Sequence, residues 1–103
     1  MMSPTQLTLR YLREQGYYAE VTEKWNAFAR IRQDLLGFID VIGIRPKEIL
    51  GVQTTSASNA SARIRKITEL ATYPLWKKAG GLVVVHGWAK KNDRWELTKE
   101  EWI

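Results

Sequence analysis

Two apolar, β-rich runs separated by four polar residues constrain the fold more strongly than any other feature of the sequence. The first run covers residues 35–44, and the second covers residues 49–55. The connection between them, Arg-Pro-Lys-Glu at residues 45–48, is short and polar, which predicts a hairpin. A third apolar run, LVVVHGW at residues 82–88, has the composition of a buried strand. The chain is therefore expected to fold around β-strands.

Helical signals lie on both sides of the predicted hairpin. The motif SPTQ at residues 3–6 matches a capping box with proline at the first helical position. The first helix is predicted from Pro4 to Gln15, because a glycine follows as a typical stop. A second helix is predicted to begin within the polar residues 56–61 and to place Ile64 and Ile67 on one face.

The remaining segments complete the predicted order of elements. Residues 17–23 favour a strand, and residues 24–33 favour a loop or an irregular strand. Residues 73–79 predict a short helical turn, residues 94–97 another strand, and residues 98–102 a last helical turn. A helix lying between strands of one sheet is typical of an α/β or α+β fold.

Composition excludes several classes of protein. A chain of 103 residues with 45% apolar and 26% charged residues is expected to form one globular domain over residues 1–103. The absence of cysteine excludes disulfide scaffolds, thiolate metal sites and cysteine nucleophiles. The first ten residues lack the apolar core of a signal peptide, and no run has the length of a membrane span. We therefore expect a soluble cytoplasmic protein without membrane contact.

The charge balance favours a polyanionic partner. Sixteen lysines and arginines face eleven aspartates and glutamates, which gives a formal net charge of +5. This excess makes nucleic acid the first partner to consider, although many small basic domains bind none.

Asp40 is the residue that most needs an explanation, because a carboxylate within an apolar run is costly unless it is paired, protonated or bound to a cation. Gln53 follows thirteen positions later on the second run, and Thr55 shares its face. In the predicted hairpin this face can also carry Asp40, and the oxygen atoms could then coordinate Mg²⁺. The alternative is a solvent-facing aspartate at the end of a strand.

The layout of these residues resembles the PD-(D/E)xK nuclease superfamily, and within it the archaeal-type Holliday junction resolvases. The resemblance covers nearly the whole chain as an order of elements, and its motifs are short. The matching pieces are QGYY at residues 15–18, FIDVI at 38–42, LGVQTT at 50–55, GGLVVV at 80–85 and RWEL at 94–97. The resemblance implies an α/β restriction-endonuclease-like core with a mixed central β-sheet flanked by helices. It also implies a homodimer that cuts branched DNA with Mg²⁺ or Mn²⁺.

The sequence departs from the superfamily pattern at the positions that matter most for catalysis. Gln53 stands where the family has an acid, and Thr55 stands where it has a lysine. The family's acid in the first helix also has no counterpart here. Asp34 and Glu20 are candidate replacement carboxylates, so Asp40, Asp34, Glu20 and Gln53 form the predicted metal site.

A lysine or arginine of the second helix could replace the missing ammonium group. Lys66 is the preferred candidate and Arg63 the next, since they are three residues apart on one face. The predicted catalytic set is thus Asp40, Gln53, Lys66 and Asp34. In the alternative interpretation, these charges simply face solvent.

A cluster of hydroxyl and amide side chains at residues 54–61 precedes the second helix and suits a phosphate group, although ordinary helix capping would need only one of them. Members of this cluster and several basic side chains form the predicted DNA-binding set: Arg32, Thr55, Ser56, Asn59, Arg63, Arg65 and Lys66.

Aromatic residues alternate with basic ones in two segments, a pattern compatible with stacking on nucleic-acid bases. Trp25 lies near Lys24 and Arg30, whereas Trp88 and Trp95 flank a basic turn. Core packing is the expected role of Trp88 and Trp95. His86 has no second histidine or cysteine partner, which favours a structural role over metal ligation.

Three functions follow in order of preference. The first is a metal-dependent endonuclease that hydrolyses phosphodiesters of structured or branched DNA through a metal-activated water. The second is a catalytically inactive DNA-binding protein of the same fold, because both motif positions are altered. The third is a small protein-interaction adaptor or inhibitor with exposed tryptophans.

Overall fold

A five-stranded mixed sheet forms the centre of the computed structural model, which describes residues 2–103. Its order is β1-β4-β5-β6-β7, and a separate hairpin is formed by β2 and β3. The elements are α1 (Pro4–Glu14), β1 (Tyr18–Val21), β2 (Lys24–Asn26), β3 (Ile31–Gln33), β4 (Val41–Arg45), β5 (Glu48–Ser56), a 3₁₀ turn (Ala57–Asn59), α2 (Ala60–Thr68), α3 (Thr72–Lys78), β6 (Leu82–Lys91) and β7 (Arg94–Trp102).

The topology confirms the predicted α/β class. Strands β5 and β6 are parallel, and the chain between them forms α2 and α3. All other neighbouring strands are antiparallel. The mixed sheet flanked by three helices is compatible with a restriction-endonuclease-like α/β core. None of the helices within residues 2–103 has the length and the apolar character needed to cross the hydrocarbon core of a membrane.

The β4–β5 hairpin forms at the predicted connection, with Arg45 opposite Glu48 and Val41 opposite Val52. Its first strand is shorter than predicted, because residues 35–40 form a tight turn instead. In that turn, Leu36 and Gly37 both have positive φ angles, of 57° and 86°, which an extended strand cannot contain. Asp40 therefore lies just before β4, where the turn meets the sheet.

The predicted helical turn at residues 98–102 is wrong, because β7 continues as a strand to Trp102. Strand β6 is ten residues long and offers hydrogen-bonding groups along this whole length. A β-bulge between Gly87 and Trp88 shifts the register by one residue, and β7 then continues until Trp102 pairs with Val84. Pairing with a distant strand thus overrides the local capping signal. Residues 24–33, predicted as a loop or an irregular strand, form the β2–β3 hairpin.

The sheet has a hydrophobic core on each face. Helix α1 covers one face, and its cluster consists of Leu9, Leu12, Tyr17, Ala19, Val41, Leu50, Val52 and Val84. Helices α2 and α3 cover the other, where the cluster consists of Phe38, Ile39, Ala60, Ile67, Val83 and Val85. Neighbouring residues of β6 alternate between the two clusters, as the two-residue period of a strand requires.

A buried polar network joins α1 to the sheet around His86, which is inaccessible to solvent. The indole Nε1 of Trp88 donates to Thr8 Oγ1 (2.9 Å), and Thr8 Oγ1 lies 3.0 Å from His86 Nδ1. The other ring nitrogen, Nε2, lies 3.1 Å from Glu100 Oε2. Burial lowers the pKa of His86, although Glu100 opposes this effect. Trp88 is buried and Trp95 half-buried, in keeping with packing roles.

Two phenylalanines provide a test of the core. Phe38 is fully buried and packs edge-to-face on Tyr73, whereas Phe28 is fully exposed at the tip of the β2–β3 hairpin. We expect Phe38→Ala to lower the free energy of unfolding by about 3–5 kcal/mol, because it leaves a cavity. The matched variant Phe28→Ala should change it by less than about 0.5 kcal/mol. Urea denaturation measures both, and equal effects would contradict this packing.

Candidate functional site

A polar pocket of about 700 Å³ lies where α1, the β2–β3 hairpin, β5 and α2 come together. Three carboxylates and three cationic side chains line it, together with hydroxyl and amide groups. The lining residues are Thr5, Glu23, Arg32, Gln33, Asp34, Gly37, Asp40, Gln53, Thr54, Arg63 and Lys66. Such a balance of fixed charges suits a ligand that brings both negative groups and a cation.

Asp40 is the buried centre of the pocket, with only 4% of its surface exposed. One carboxylate oxygen, Oδ2, accepts hydrogen bonds from the backbone N–H of Thr54 (2.8 Å) and from its hydroxyl group (3.3 Å). The side-chain amide of Gln53 donates to the same oxygen. The Asp40 backbone N–H donates to Val52 O (2.9 Å), which fixes the residue at the start of the interior strand β4. The carboxylate is therefore held in one position.

The β2–β3 hairpin supplies the other two carboxylates. Glu23 immediately precedes β2, and Asp34 immediately follows β3, so the hairpin brings them together at its base. One carboxylate oxygen each of Glu23, Asp34 and Asp40 lies within 4.8 Å of the others. Hard oxygen ligands at this spacing could hold a divalent cation such as Mg²⁺.

The environment of Asp40 favours its protonated form. Burial raises the pKa of Asp40 to about 7, and a hydrogen bond and charge repulsion from Asp34 act in the same direction. The N–H groups of Thr54 and Gln53 oppose this effect by stabilising the carboxylate. A cation beside Asp40 would displace its proton and favour the carboxylate form.

Gln53 lies in the site but presents its NH₂ group to the carboxylates. Its Nε2 donates to Asp40 and is 3.4 Å from Asp34 Oδ2. Gln53 thus bridges the two aspartates, and ligation of a cation through its carbonyl oxygen would require the amide to rotate.

The cationic side chains stand around the carboxylates. Arg32 of β3 forms an ion pair with Glu23, at 3.6 Å between Nη1 and Oε1. Arg63 and Lys66 lie one turn apart on α2 and line the same pocket, Arg63 half-buried and Lys66 exposed. Cationic groups at these positions could pair with the negative groups of a ligand beside the carboxylates.

Six of the sequence-predicted site residues meet in this pocket: Asp34, Asp40, Gln53, Lys66, Arg32 and Arg63. Five others, all within the described chain, lie outside its lining: Glu20, Thr55, Ser56, Asn59 and Arg65. Glu20 accepts a hydrogen bond from the Tyr18 hydroxyl on the exposed part of β1. Thr55 is buried in the sheet, and Ser56 hydrogen-bonds Ser58 (3.3 Å).

Sequence reasoning missed Glu23, Thr5 and Gln33 as pocket residues. The pairing of Lys24 with Gln33 extends naturally to the preceding and following residues, which are Glu23 and Asp34. Recognition of the hairpin would therefore have identified Glu23. Thr5 enters through a long-range contact with Thr54, at 3.0 Å between hydroxyl oxygens, for which the sequence carries no local signal.

Neither a protein-family model nor a curated protein matches the chain. The site must therefore be interpreted from its own geometry.

The raised pKa of Asp40 predicts a pH-dependent stability. In EDTA, the folded protein binds more protons than the unfolded chain between pH 3.8 and about 7. The contribution of Asp40 to the free energy of unfolding should therefore decrease as pH rises across this window, by up to about 1.4 kcal/mol per pH unit. The measurement is the difference between wild type and Asp40→Asn in urea denaturation at several pH values.

The control for this experiment is Asp93→Asn, since Asp93 is exposed in the β6–β7 turn. Its pH profile should follow that of the wild type. A difference between wild type and Asp40→Asn that stays constant from pH 4 to 8 would contradict the burial effect.

Proposed function

We propose that the protein is a metal-dependent endonuclease that hydrolyses phosphodiesters in structured or branched DNA. The observation that carries this proposal is the group of three carboxylates, Glu23, Asp34 and Asp40, within 4.8 Å of one another in a pocket that also holds three cationic side chains. Carboxylates can ligate the metal and cations can contact the phosphate, so one pocket offers both kinds of group that metal-dependent hydrolysis of a phosphodiester requires.

Glu23, Asp34 and Asp40 would hold the cation, Mg²⁺ or Mn²⁺. When bound, such a cation supplies an activated water at neutral pH and neutralises charge on the phosphate. Asp40 must ionise to act as a ligand, and the N–H donors of Thr54 and Gln53 stabilise that ionised form. Two N–H donors on one oxygen also leave the second carboxylate oxygen of Asp40 available for the metal.

Lys66 would take the role of the lysine that the superfamily motif places at position 55. Its position on α2 allows the flexible ammonium group to approach a phosphate in the pocket. Arg63 would bind a non-reacting phosphate oxygen, since its guanidinium group suits bidentate contacts. Charge develops on the phosphate oxygens in the transition state, and fixed cations there stabilise it.

The wider assembly follows from the resemblance and from the charge. The formal net charge of +5 suits a DNA partner. Related resolvases cut two strands symmetrically, so we propose a homodimer acting in the cytoplasm, with one pocket for each strand.

A specific observation favours a second candidate, a catalytically inactive DNA-binding protein. The Gln53 amide occupies the space between Asp34 and Asp40 and satisfies both through hydrogen bonds. Thr55, at the lysine position of the motif, is buried and brings no charge. In this alternative the pocket would bind DNA phosphates without cutting.

Two glutamates provide a matched test of the carboxylate group. Glu23→Gln should lower Mg²⁺-dependent cleavage of a labelled four-way junction by about 100-fold or more, because it removes a metal ligand. Glu20→Gln makes the same chemical change outside the pocket and should leave the rate within about two-fold. Cleavage that survives Glu23→Gln, or that fails with Glu20→Gln, would contradict the assignment. Junction binding without cutting by the wild type, with EDTA as the control, would support the inactive alternative.

A second comparison tests the cationic groups of α2. Lys66→Ala should lower the rate of the chemical step by about 10²-fold while weakening junction binding much less, because its ammonium group acts mainly on the transition state. The neighbouring Arg65→Ala removes a cation outside the pocket and should leave that step unchanged. Single-turnover kinetics at saturating protein separates the two quantities. Equal losses in both variants would indicate a general charge effect.

A further inference from the structure

The β2–β3 hairpin has a defined shape although it stands apart from the central sheet. Asn26 fixes its tip, because the side-chain oxygen Oδ1 accepts from the backbone N–H groups of Phe28 (3.0 Å) and Ala29 (3.1 Å). The same amide donates through Nδ2 to Gln33 Oε1 (3.2 Å) across the two strands. Arg30 closes the turn with a φ of 55°. The tip is therefore structured by its own hydrogen bonds.

This defined tip presents large apolar side chains to solvent. Phe28 is fully exposed (103% relative accessibility), and Trp25 and Ile31 are exposed to 60% and 50%. The hydrogen bonds of Asn26 hold the backbone of Phe28 in place, so its ring projects outward from a fixed base. A group of exposed apolar side chains on a short hairpin indicates a contact surface.

The charge on the hairpin indicates which partner fits. Residues 24–33 contain Lys24, Arg30 and Arg32 and no acidic residue. Arg32 lies directly opposite Trp25 in the β-ladder. Aromatic rings alternating with cations bind single-stranded nucleic acid, where bases stack on the rings and phosphates contact the cations. An apolar protein surface would offer no counter-charge to Lys24 and Arg30.

The hairpin is continuous with the carboxylate pocket. Glu23 and Asp34 flank its two strands, and Arg32 and Gln33 line the pocket itself. A DNA strand whose phosphate reached the three carboxylates would therefore pass along the hairpin.

We propose that the β2–β3 hairpin binds unpaired or unstacked DNA bases beside the phosphate in the pocket, with Phe28 and Trp25 as stacking surfaces. This inference rests on the proposed function and deepens it, because it names DNA with unpaired bases next to a duplex as the substrate class. Discrimination arises because the bases of an intact duplex are stacked on one another and cannot offer their faces to the hairpin.

Equilibrium binding in EDTA tests the inference without any cleavage. The probes are a labelled single strand, a duplex that carries a single-stranded tail, and a fully paired duplex, each with 2-aminopurine in place of one adenine, which in the tailed duplex lies in the tail. Phe28→Ala should weaken binding of the single strand and of the tailed duplex by about 5- to 150-fold, the loss of one stacked base, and should change binding of the paired duplex by less than about two-fold. Trp25→Ala should act in the same direction. In both variants, binding should quench the fluorescence of 2-aminopurine less than it does in the wild type.

The control is Leu75→Ala, an equally simple truncation of an exposed side chain on α3, away from the hairpin. It should bind all three probes as the wild type does. Wild-type affinity in Phe28→Ala, or an equal loss for the single strand and the duplex, would overturn the stacking role.

The two proposals fail in different ways. If Phe28→Ala weakens binding but the wild type cuts no DNA with Mg²⁺ or Mn²⁺, the stacking role is supported and the endonuclease is overturned. If cleavage is lost in Glu23→Gln but both binding and cleavage are unchanged in Phe28→Ala, the endonuclease is supported and the stacking role is overturned. A wild-type protein that binds none of the probes at low salt would overturn both.

Discussion

The structure depends on the way Asp40 joins three segments of the chain. Its backbone N–H donates to Val52 O of β5, and its carbonyl oxygen accepts from the N–H of Thr22 (2.8 Å), just after β1. Its carboxylate accepts from the backbone N–H and the hydroxyl of Thr54 and from the side-chain amide of Gln53. One residue thus ties the end of β1 and the second half of β5 to the start of β4, and the register of the β4–β5 hairpin fixes the pocket. A buried carboxylate is tolerated here because its hydrogen bonds are provided by the fold itself.

The same burial sets the electrostatic character of the pocket. Asp34 and Asp40 repel each other when both are ionised, and Glu23 adds a third negative charge. An acid at position 53 would add a fourth, whereas Gln53 contributes N–H donors that reduce the repulsion. Glutamine at this position is therefore compatible with a metal site in which Glu23 and Asp34, at the two ends of the hairpin, join Asp40. Beyond Asp40, the negative charge of the pocket is carried by Glu23, immediately before β2, and by Asp34, immediately after β3.

Local sequence signals were sufficient for much of this architecture. The capping motif before α1, the short connection at residues 45–48 and the apolar composition of β6 each predicted the element that forms. The position of a carboxylate within an apolar run singled out Asp40, because such a run is visible in the sequence and a buried carboxylate needs partners. Lys66 and Arg63 were predicted from helical spacing, which is equally local.

The predictions that failed depend on long-range contacts. Residues 98–102 carry helix-capping signals, but pairing with β6 makes them a strand. Residues 17–23 predict one strand, with Glu20 on it as a supporting carboxylate of the metal site. The strand ends at Val21 instead, and the chain turns into a hairpin that points Glu23 towards Asp34. A strand's end is set by the partner it pairs with, and β1 has residues 41–44 of β4 as that partner.

Glu23 and Asp34 lie at the two ends of the β2–β3 hairpin, so a ligand that contacts both would hold these ends together. The strands β2 and β3 have only three residues each and contribute no member to either hydrophobic core cluster. The Arg32–Glu23 ion pair is largely exposed on the arginine side and contributes little by itself. A cation held by Glu23 and Asp34 would cross-link the two ends of the hairpin and restrict its orientation relative to the sheet. Metal binding between the two ends of the hairpin and stacking of nucleobases at its tip would then favour each other, because each orders the element that the other requires.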